Sequence, residues 1–443
     1  MGVLMQAFYW DCPQITHQEY AWWTYVQGHL PELRREGFTA LWLPPCNKAA
    51  GATSMGYDPY DLFDFGEFDQ RGNVRTWFGS RAELVGLIHS THAQGMEVYA
   101  DIVYNHNSGG ELEHNPDFNR DGYTRFTPGS GRFARNYRCF HPNRFERWDG
   151  ESWGDMPDFC HRNPYVYEHL MEHARTLICE LGYDGFRFDF VKGYGSWMVK
   201  AIQERHYQRG DTIIHPFGVA ESWSSDREIA DWLDEANRWS DNPISAFDFP
   251  LRYRLKDLCD TYGYSLRGLL EPGTMCMDKP FQAVTFVDNH DFRGGGSPPI
   301  VQDKLLAYAF ILTHPGYPCV FWQDYFERGL GQPGLSSGIA ALVRAHESSA
   351  GGEMVVRHLE DDLYIMERLG TTSQPGLVFV LNNRGDRWQG QWVDTSRAST
   401  RYVPVAWWGH DGAAPLESWS QADGRGQFWA PPRGYVVYAP QLT

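Results

Sequence analysis

The sequence predicts a (β/α)8 TIM barrel with a domain inserted after its third strand and a C-terminal antiparallel β-sandwich. Three observations carry the prediction. Eight short apolar runs alternate with amphipathic stretches up to about residue 350, the pattern of repeated β–α units. A long segment rich in Gly, Asn, Asp, Arg and aromatics, without helical period, interrupts the alternation after the third run. From Gly351 onward the pattern changes to short alternating segments separated by turn residues.

Taken in order, the strand-like runs are residues 3–8, 39–43, 96–103, 185–190, 213–220, 244–249, 283–287 and 319–322. Between them, Leu84, Leu87, Ile88 and Thr91 fall on one helical face, as do Val166, Leu170, Ala174, Leu177, Ile178 and Leu181. Leu335, Ile339, Leu342 and Val343 repeat the spacing. An open doubly wound sheet is the competing architecture, but no GxGxxG follows an early strand. The expected organisation is a barrel from 1–106 and 164–350, an inserted domain at 107–163 and a β domain at 351–443. In the last of these, residues 363–366, 377–381, 402–407 and 435–438 read as strands.

Composition narrows the function. The chain has 443 residues, of which 42% are hydrophobic, ample for a large core. A net charge of −17 without a basic stripe argues against nucleic acid and anionic membranes as partners. The 18 Trp and 24 Tyr suit either flat sugar-binding platforms or a large aromatic core, and both readings stay open. For Trp10, Trp22, Trp23, Trp223, Trp407 and Trp408, packing is the better reading. No run reaches the roughly 18 apolar residues of a membrane span, and the start lacks a basic-then-apolar leader. A cytoplasmic monomer is therefore expected, with export after leader removal as the alternative. Eight cysteines without a CxxC pair argue against a zinc site. Cys139 and Cys160 flank one loop-rich segment and could pair in an exported protein.

Four clusters at expected strand ends carry the chemistry: Asp101-Ile-Val-Tyr-Asn105-His106, Gly185-Phe-Arg187-Phe-Asp189-Phe-Val-Lys192-Gly193, Gly218-Val-Ala-Glu221, and Val287-Asp-Asn289-His290-Asp291. A lone carboxylate at a strand end is commonly a helix cap or an ion-pair partner. Four clusters on strands three, four, five and seven of one barrel point to a shared mouth.

These segments, in this order, resemble the four signature regions of the α-amylase superfamily of retaining glycoside hydrolases. The stretches Ser54 to Leu62 and Phe65-Gly-Glu-Phe68 extend the likeness toward its bacterial liquefying and plant branch. The resemblance implies α-1,4-glucan substrates, with Asp189 as nucleophile, Glu221 as acid and base, and Asp291 as the third carboxylate. It also implies sugar contacts from Tyr57, His106, Lys192 and His290. Arg187, two residues before Asp189, shares its strand face; its charge would keep Asp189 ionised, while neighbouring carboxylates would favour a protonated Glu221. Retention predicts carboxyl groups about 5–5.5 Å apart. A Ca2+ ion is implied between barrel and insertion, with Asn105, the Gly193 carbonyl, Asp158 and Asp149 as ligands. Chloride, which some members bind, would involve Asn289 and Arg328, although Arg328 reads better as a plain surface cation. An exo-acting or transferring member, or a non-catalytic glucan-binding homologue, are the other readings.

Overall fold

The computed structural model describes residues 2–17, 19–332, 334 and 336–441. Eight parallel strands form a closed barrel: β1 (Leu4–Gln6), β2 (Ala40–Leu43), β3 (Glu97–Ile102), β4 (Gly185–Phe188), β5 (Phe217–Ala220), β6 (Ser245–Phe247), β7 (Ala283–Phe286) and β8 (Tyr317–Phe321). Each overlaps an expected run. The run at 213–220 is split, because Thr212–Ile214 pairs back on Tyr207–Arg209 as a hairpin and only β5 enters the barrel.

The chain divides into two compact units, one of Ala7–Glu32 and Ala40–Phe247, the other of Met1–Gln6, Leu33–Thr39 and Asp248–Thr443. In the first, β2, β3, β4, β5 and β6 pair in sequence order. The register sets Arg187 of β4 opposite both Asp101 of β3 and Val219 of β5. Helix Arg81–Ala93 starts at a capping box between Ser80 and Glu83 and buries Leu84, Leu87, Ile88 and Thr91, the expected face. Helix Pro164–Arg175 begins at the Asn163 cap with Pro at its first turn. It runs into a π-helical turn that ends at Gly182, whose φ of 100° suits glycine. Of the pattern around Leu335, the described helix Ile339–Ser349 buries Ile339, Leu342 and Val343; Leu335 lies outside the described residues.

Residues 107–163 contain a hairpin, Glu111–Asn115 with Arg120–Arg125. Behind it Phe126, Phe140, Phe159 and Phe133 pack ring to ring, with Arg135 over two of them. Aromatic contacts order this segment where periodicity gave no signal.

In the second unit, β1 and β7 both pair with β8. Eight further strands follow: β9 (Met354–Leu359), β10 (Leu363–Arg368), β11 (Leu377–Asn382), β12 (Gln389–Asp394), β13 (Arg401–Trp408), β14 (Ser418–Trp419), β15 (Arg425–Ala430) and β16 (Gly434–Pro440). They form a six-stranded sheet in the order β9-β10-β11-β16-β13-β14 and a two-stranded sheet of β12 and β15. Ile365, Val380 and Val436 from one sheet share a core with Val393 and Phe428 from the other, which makes the arrangement a sandwich.

Two buried histidines tie this packing to pH. His314 donates from Nδ1 to the Phe310 carbonyl at 2.8 Å and meets Tyr364 Oη at 2.9 Å. Burial, with a smaller push from Arg368, lowers its pKa from 6.5 to about 3. Burial and the Arg132 charge lower His173 in the other unit to about 3 as well. Both pKa values fall on folding, so their stability contribution is complete above pH 6.5 and is lost as pH falls, by about 1.4 kcal/mol per unit for each. His314→Asn, which cannot titrate there, is expected to flatten the decline in unfolding free energy between pH 6.5 and 4. An unchanged slope would show that His314 is already protonated in the native state.

Candidate active site

The first unit gathers its polar groups at the C-terminal ends of β3, β4 and β5, Asp101 and Arg187 within their strands and Asp189 and Glu221 one residue beyond. Their focus is Arg187, only 1% exposed. Its Nη1 lies 2.9 Å from Asp101 Oδ1 and 2.6 Å from Asp189 Oδ1, and its Nη2 lies 2.7 Å from Glu221 Oε1. One guanidinium therefore carries three carboxylates, with Asp189 and Glu221 on different terminal nitrogens. The backbone fixes both: Asp189 N–H donates to the Ile102 carbonyl and Glu221 N–H to that of Phe188, at 3.1 and 2.9 Å. Phe190, in the left-handed region with φ 44°, turns its own N–H onto Glu221 Oε2 at 3.1 Å. The sequence reading assigned Arg187 to Asp189; the structure divides it among three acids.

Asp101, quoted in the sequence motif but given no role there, is the hidden member. Trp42 Nε1 and Tyr57 Oη both donate to its Oδ2, at 3.0 and 2.7 Å. Burial raises its pKa to about 6; Arg187 and the Tyr57 hydrogen bond oppose the rise and Glu221 adds to it. Asp101 thus fixes Arg187 and orients the Tyr57 ring, which also stacks on Trp10 with planes 12° apart. The available signal was its place at the head of the motif that ends in Asn105 and His106, a carboxylate within the buried part of its strand.

His106 donates from Nε2 to the Tyr57 carbonyl at 2.9 Å and stacks on Trp153. Burial lowers its pKa to about 4, so it is neutral at pH 7. Trp153, from the inserted segment, also meets Phe190 edge-on, a contact without sequence signal. Lys192 lies 3.4 Å from Glu151. In the second unit His290 and Asp291 follow β7. Gln6 of β1 contacts His290 Nδ1 at 3.0 Å, and His290 Nε2 lies 3.3 Å from Asp291 Oδ2. Asn289 accepts from the Asp291 N–H, and Arg328 pairs with Asp324, so both named chloride candidates are engaged within the protein.

Three of the four expected cation ligands meet. The Asn105 side-chain oxygen faces the Gly193 carbonyl and Asp158 Oδ1 with no donor between them; turning the amide over would let its nitrogen donate to both, at 3.0 and 3.1 Å. A Cβ at Gly193 would fall 2.0 Å from the Asn105 oxygen, so this close approach requires glycine. Three converging oxygens suit a hard cation. Asp149, the fourth, faces two histidines: its Oδ2 pairs with His161 Nδ1 at 2.9 Å and its Oδ1 lies 3.4 Å from His141 Nδ1. His141 also holds Asp158 Oδ2, at 2.9 Å. Cys139 and Cys160 are free thiols, like the six other cysteines. Among the described residues no helix is long and apolar enough to cross a membrane.

A closed (β/α)8 barrel bearing paired acids at the C-terminal ends of its strands suits a glycoside hydrolase. Comparison with known proteins gives the family. Residues 23–237 match the model of the α-amylase catalytic domain. An α-amylase of Geobacillus stearothermophilus is 32% identical over 431 residues, covering 85% of this chain and 76% of that protein. A glucan 1,4-α-maltohexaosidase of Bacillus sp. (strain 707) is 30% identical over 482 residues, covering 92% and 90%. The crystal structure of the Geobacillus thermoleovorans α-amylase in complex with acarbose shares the fold, with a TM-score of 0.67 at 18% identity over 95% of this chain and 92% of that one. The chain belongs to the α-amylase family.

Proposed function

We propose that the protein hydrolyses α-1,4-glucosidic bonds within starch, glycogen or maltooligosaccharides, with retention of configuration. The observation that carries this reading is the single buried guanidinium bonded to both Asp189 and Glu221. It brings two carboxyl groups to one point, as double displacement at an anomeric carbon requires.

In the first step Glu221 protonates the glycosidic oxygen while an Asp189 oxygen attacks the anomeric carbon. The C–O bond to the leaving sugar breaks and a glycosyl ester forms. Esterification removes one negative charge from Arg187, which leaves more of the guanidinium for an ionised Glu221. Glu221 then takes a proton from water, whose oxygen displaces Asp189 and releases the sugar. Two inversions restore the original configuration. Asp291, His106 and His290 bind hydroxyls of the distorted ring, Tyr57 stacks beneath it, and Lys192 reaches the next sugar. Residues 107–163 act as the inserted domain and 351–443 as the C-terminal one. Asn105, Asp158 and the Gly193 carbonyl would hold Ca2+, which would supply a structural cross-link and no reacting group.

Two measurements test this reading. Proton NMR of freshly cleaved maltooligosaccharide is expected to show the α-anomer first; an initial β-anomer would exclude retention. Early amylose digests are expected to contain a broad spread of lengths. One dominant product, the behaviour named in the maltohexaosidase relative, would replace internal cleavage by exo action.

A further inference from the structure

The outer face of β12 and β15 presents a group of indoles that the proposed reaction leaves unused. The two strands pair so that Trp392 stands opposite Gln427 and Gly390 opposite Trp429. Alternation turns Val393, Phe428 and Ala430 into the sandwich core and sends Trp392, Gln427 and Trp429 outward. Trp392 and Trp429 are each 40% exposed, and Trp419 of β14 is 59% exposed. With Trp388, Glu417 and Gln427 they line a cavity of about 510 Å³, within the roughly 300–1,000 Å³ of small-molecule sites. No residue of the proposed reaction is among its walls.

The rings are held where they stand. A Cβ at Gly390 would fall 2.4 Å from Trp429 Cδ2, so glycine gives that indole room to lie against β12 with its other side exposed. Trp388 Nε1 donates to Asp411 Oδ2 at 2.6 Å. Arg425 sits over the Trp392 ring, 6.0 Å from its centre. Arg401 donates from Nε to Glu417 Oε2 at 2.8 Å and from Nη2 to Glu417 Oε1, which lowers the Glu417 pKa and keeps it an anion.

Grouped exposed rings mark a contact surface, and the polar groups among them identify what it contacts. An apolar peptide or a second copy of the chain would bury Gln427 and the Glu417 carboxylate away from water, which is unfavourable unless each finds a partner. Two copies, each with a net charge of −17, also repel. A pyranose offers both surfaces these walls need. Its C–H groups meet the electron-rich ring faces, while its hydroxyls donate to Glu417 and exchange hydrogen bonds with the Gln427 amide.

We propose that Trp388, Trp392, Trp419 and Trp429 form a binding site for an α-glucan chain, with Gln427 and Glu417 holding its hydroxyls. The site rests on the α-glucan reading above and adds to it a second place of attachment, on the C-terminal sandwich. A starch granule engages both places on one molecule, so its attachment gains from effective concentration. A short oligosaccharide fills one at a time and gains nothing.

Adsorption separates the two places. The full chain and its Trp429→Ala and Trp419→Ala variants are mixed in the cold with granular starch and the protein left in solution is measured, while hydrolysis of maltopentaose is followed in parallel. Each variant is expected to adsorb about tenfold more weakly, within the range lost when an aromatic side chain beneath a stacked ligand ring is cut to Ala. Both should keep kcat and KM on maltopentaose unchanged. Trp419 is more than half exposed, so its replacement spares the core and decides the matter should Trp429→Ala fail to fold. Variants that adsorb as the parent does overturn the site, as does a parent that cleaves maltopentaose yet leaves granules alone. A parent that does neither removes the α-glucan reading and the site with it. Sedimentation supplies the last outcome: a parent dimer that dissociates in both variants would give this face to a second copy and overturn the site.

Discussion

Asp189→Asn is expected to lower kcat on maltooligosaccharides by at least about four orders of magnitude, the scale of losing a nucleophile in other hydrolases. Binding of an oligosaccharide should survive, because the amide keeps the shape of the carboxylate and one acceptor for Arg187. The contrast between lost turnover and retained binding separates a chemical role from a structural one. Steady-state kinetics and calorimetric titration with the same oligosaccharide check it. A variant as active as the parent would remove Asp189 from the reaction and leave it as a partner of Arg187 only.

Arg187→Ala should have the largest effect on stability. Arg187 is 1% exposed and bonded to Asp101, Asp189 and Glu221. Removing one partner of a single buried ion pair costs about 3–5 kcal/mol, a large part of the roughly 5–15 kcal/mol that holds a domain together. Here three buried acids would lose their cation at once. Without it their folded pKa values rise above the unfolded ones, so the penalty is present at pH 7 and disappears as pH falls and they take up protons. Denaturant titrations of parent and variant should therefore differ most at neutral pH and converge toward pH 4. Arg187→Lys keeps the charge but lacks the planar fork that reaches three acids, and should fall between the two. Equal stability of parent and Ala variant at pH 7 would show that Arg187 is not the charge balance of this cluster.

Much of the architecture was legible in the sequence. Parallel strands buried on both faces appear as short apolar runs, and the helices over them repeat every three to four residues; both patterns are local. The capped helix Arg81–Ala93 buries the four residues its spacing predicts. Less legible were the short strands β12 and β15, whose alternation is blurred by Gly390, Gly426 and exposed Trp392 and Trp429. The inserted segment was unreadable in detail, because the stacking of Phe126, Phe133, Phe140 and Phe159 joins residues without any common period.

The site divides in the same way. By itself the sequence determined which residues end the strands and on which strand face each falls, since alternation and motif order are properties of the chain alone. Only the tertiary structure decided whom those residues meet. It set Asp101 and Glu221 beside Arg187 across neighbouring strands, and it gave Asp149 two histidine neighbours, His141 and His161. Ion pairs and hydrogen bonds act over a few ångströms in space, and the folded backbone, through strand register and loop closure, chooses which distant residues come within that reach.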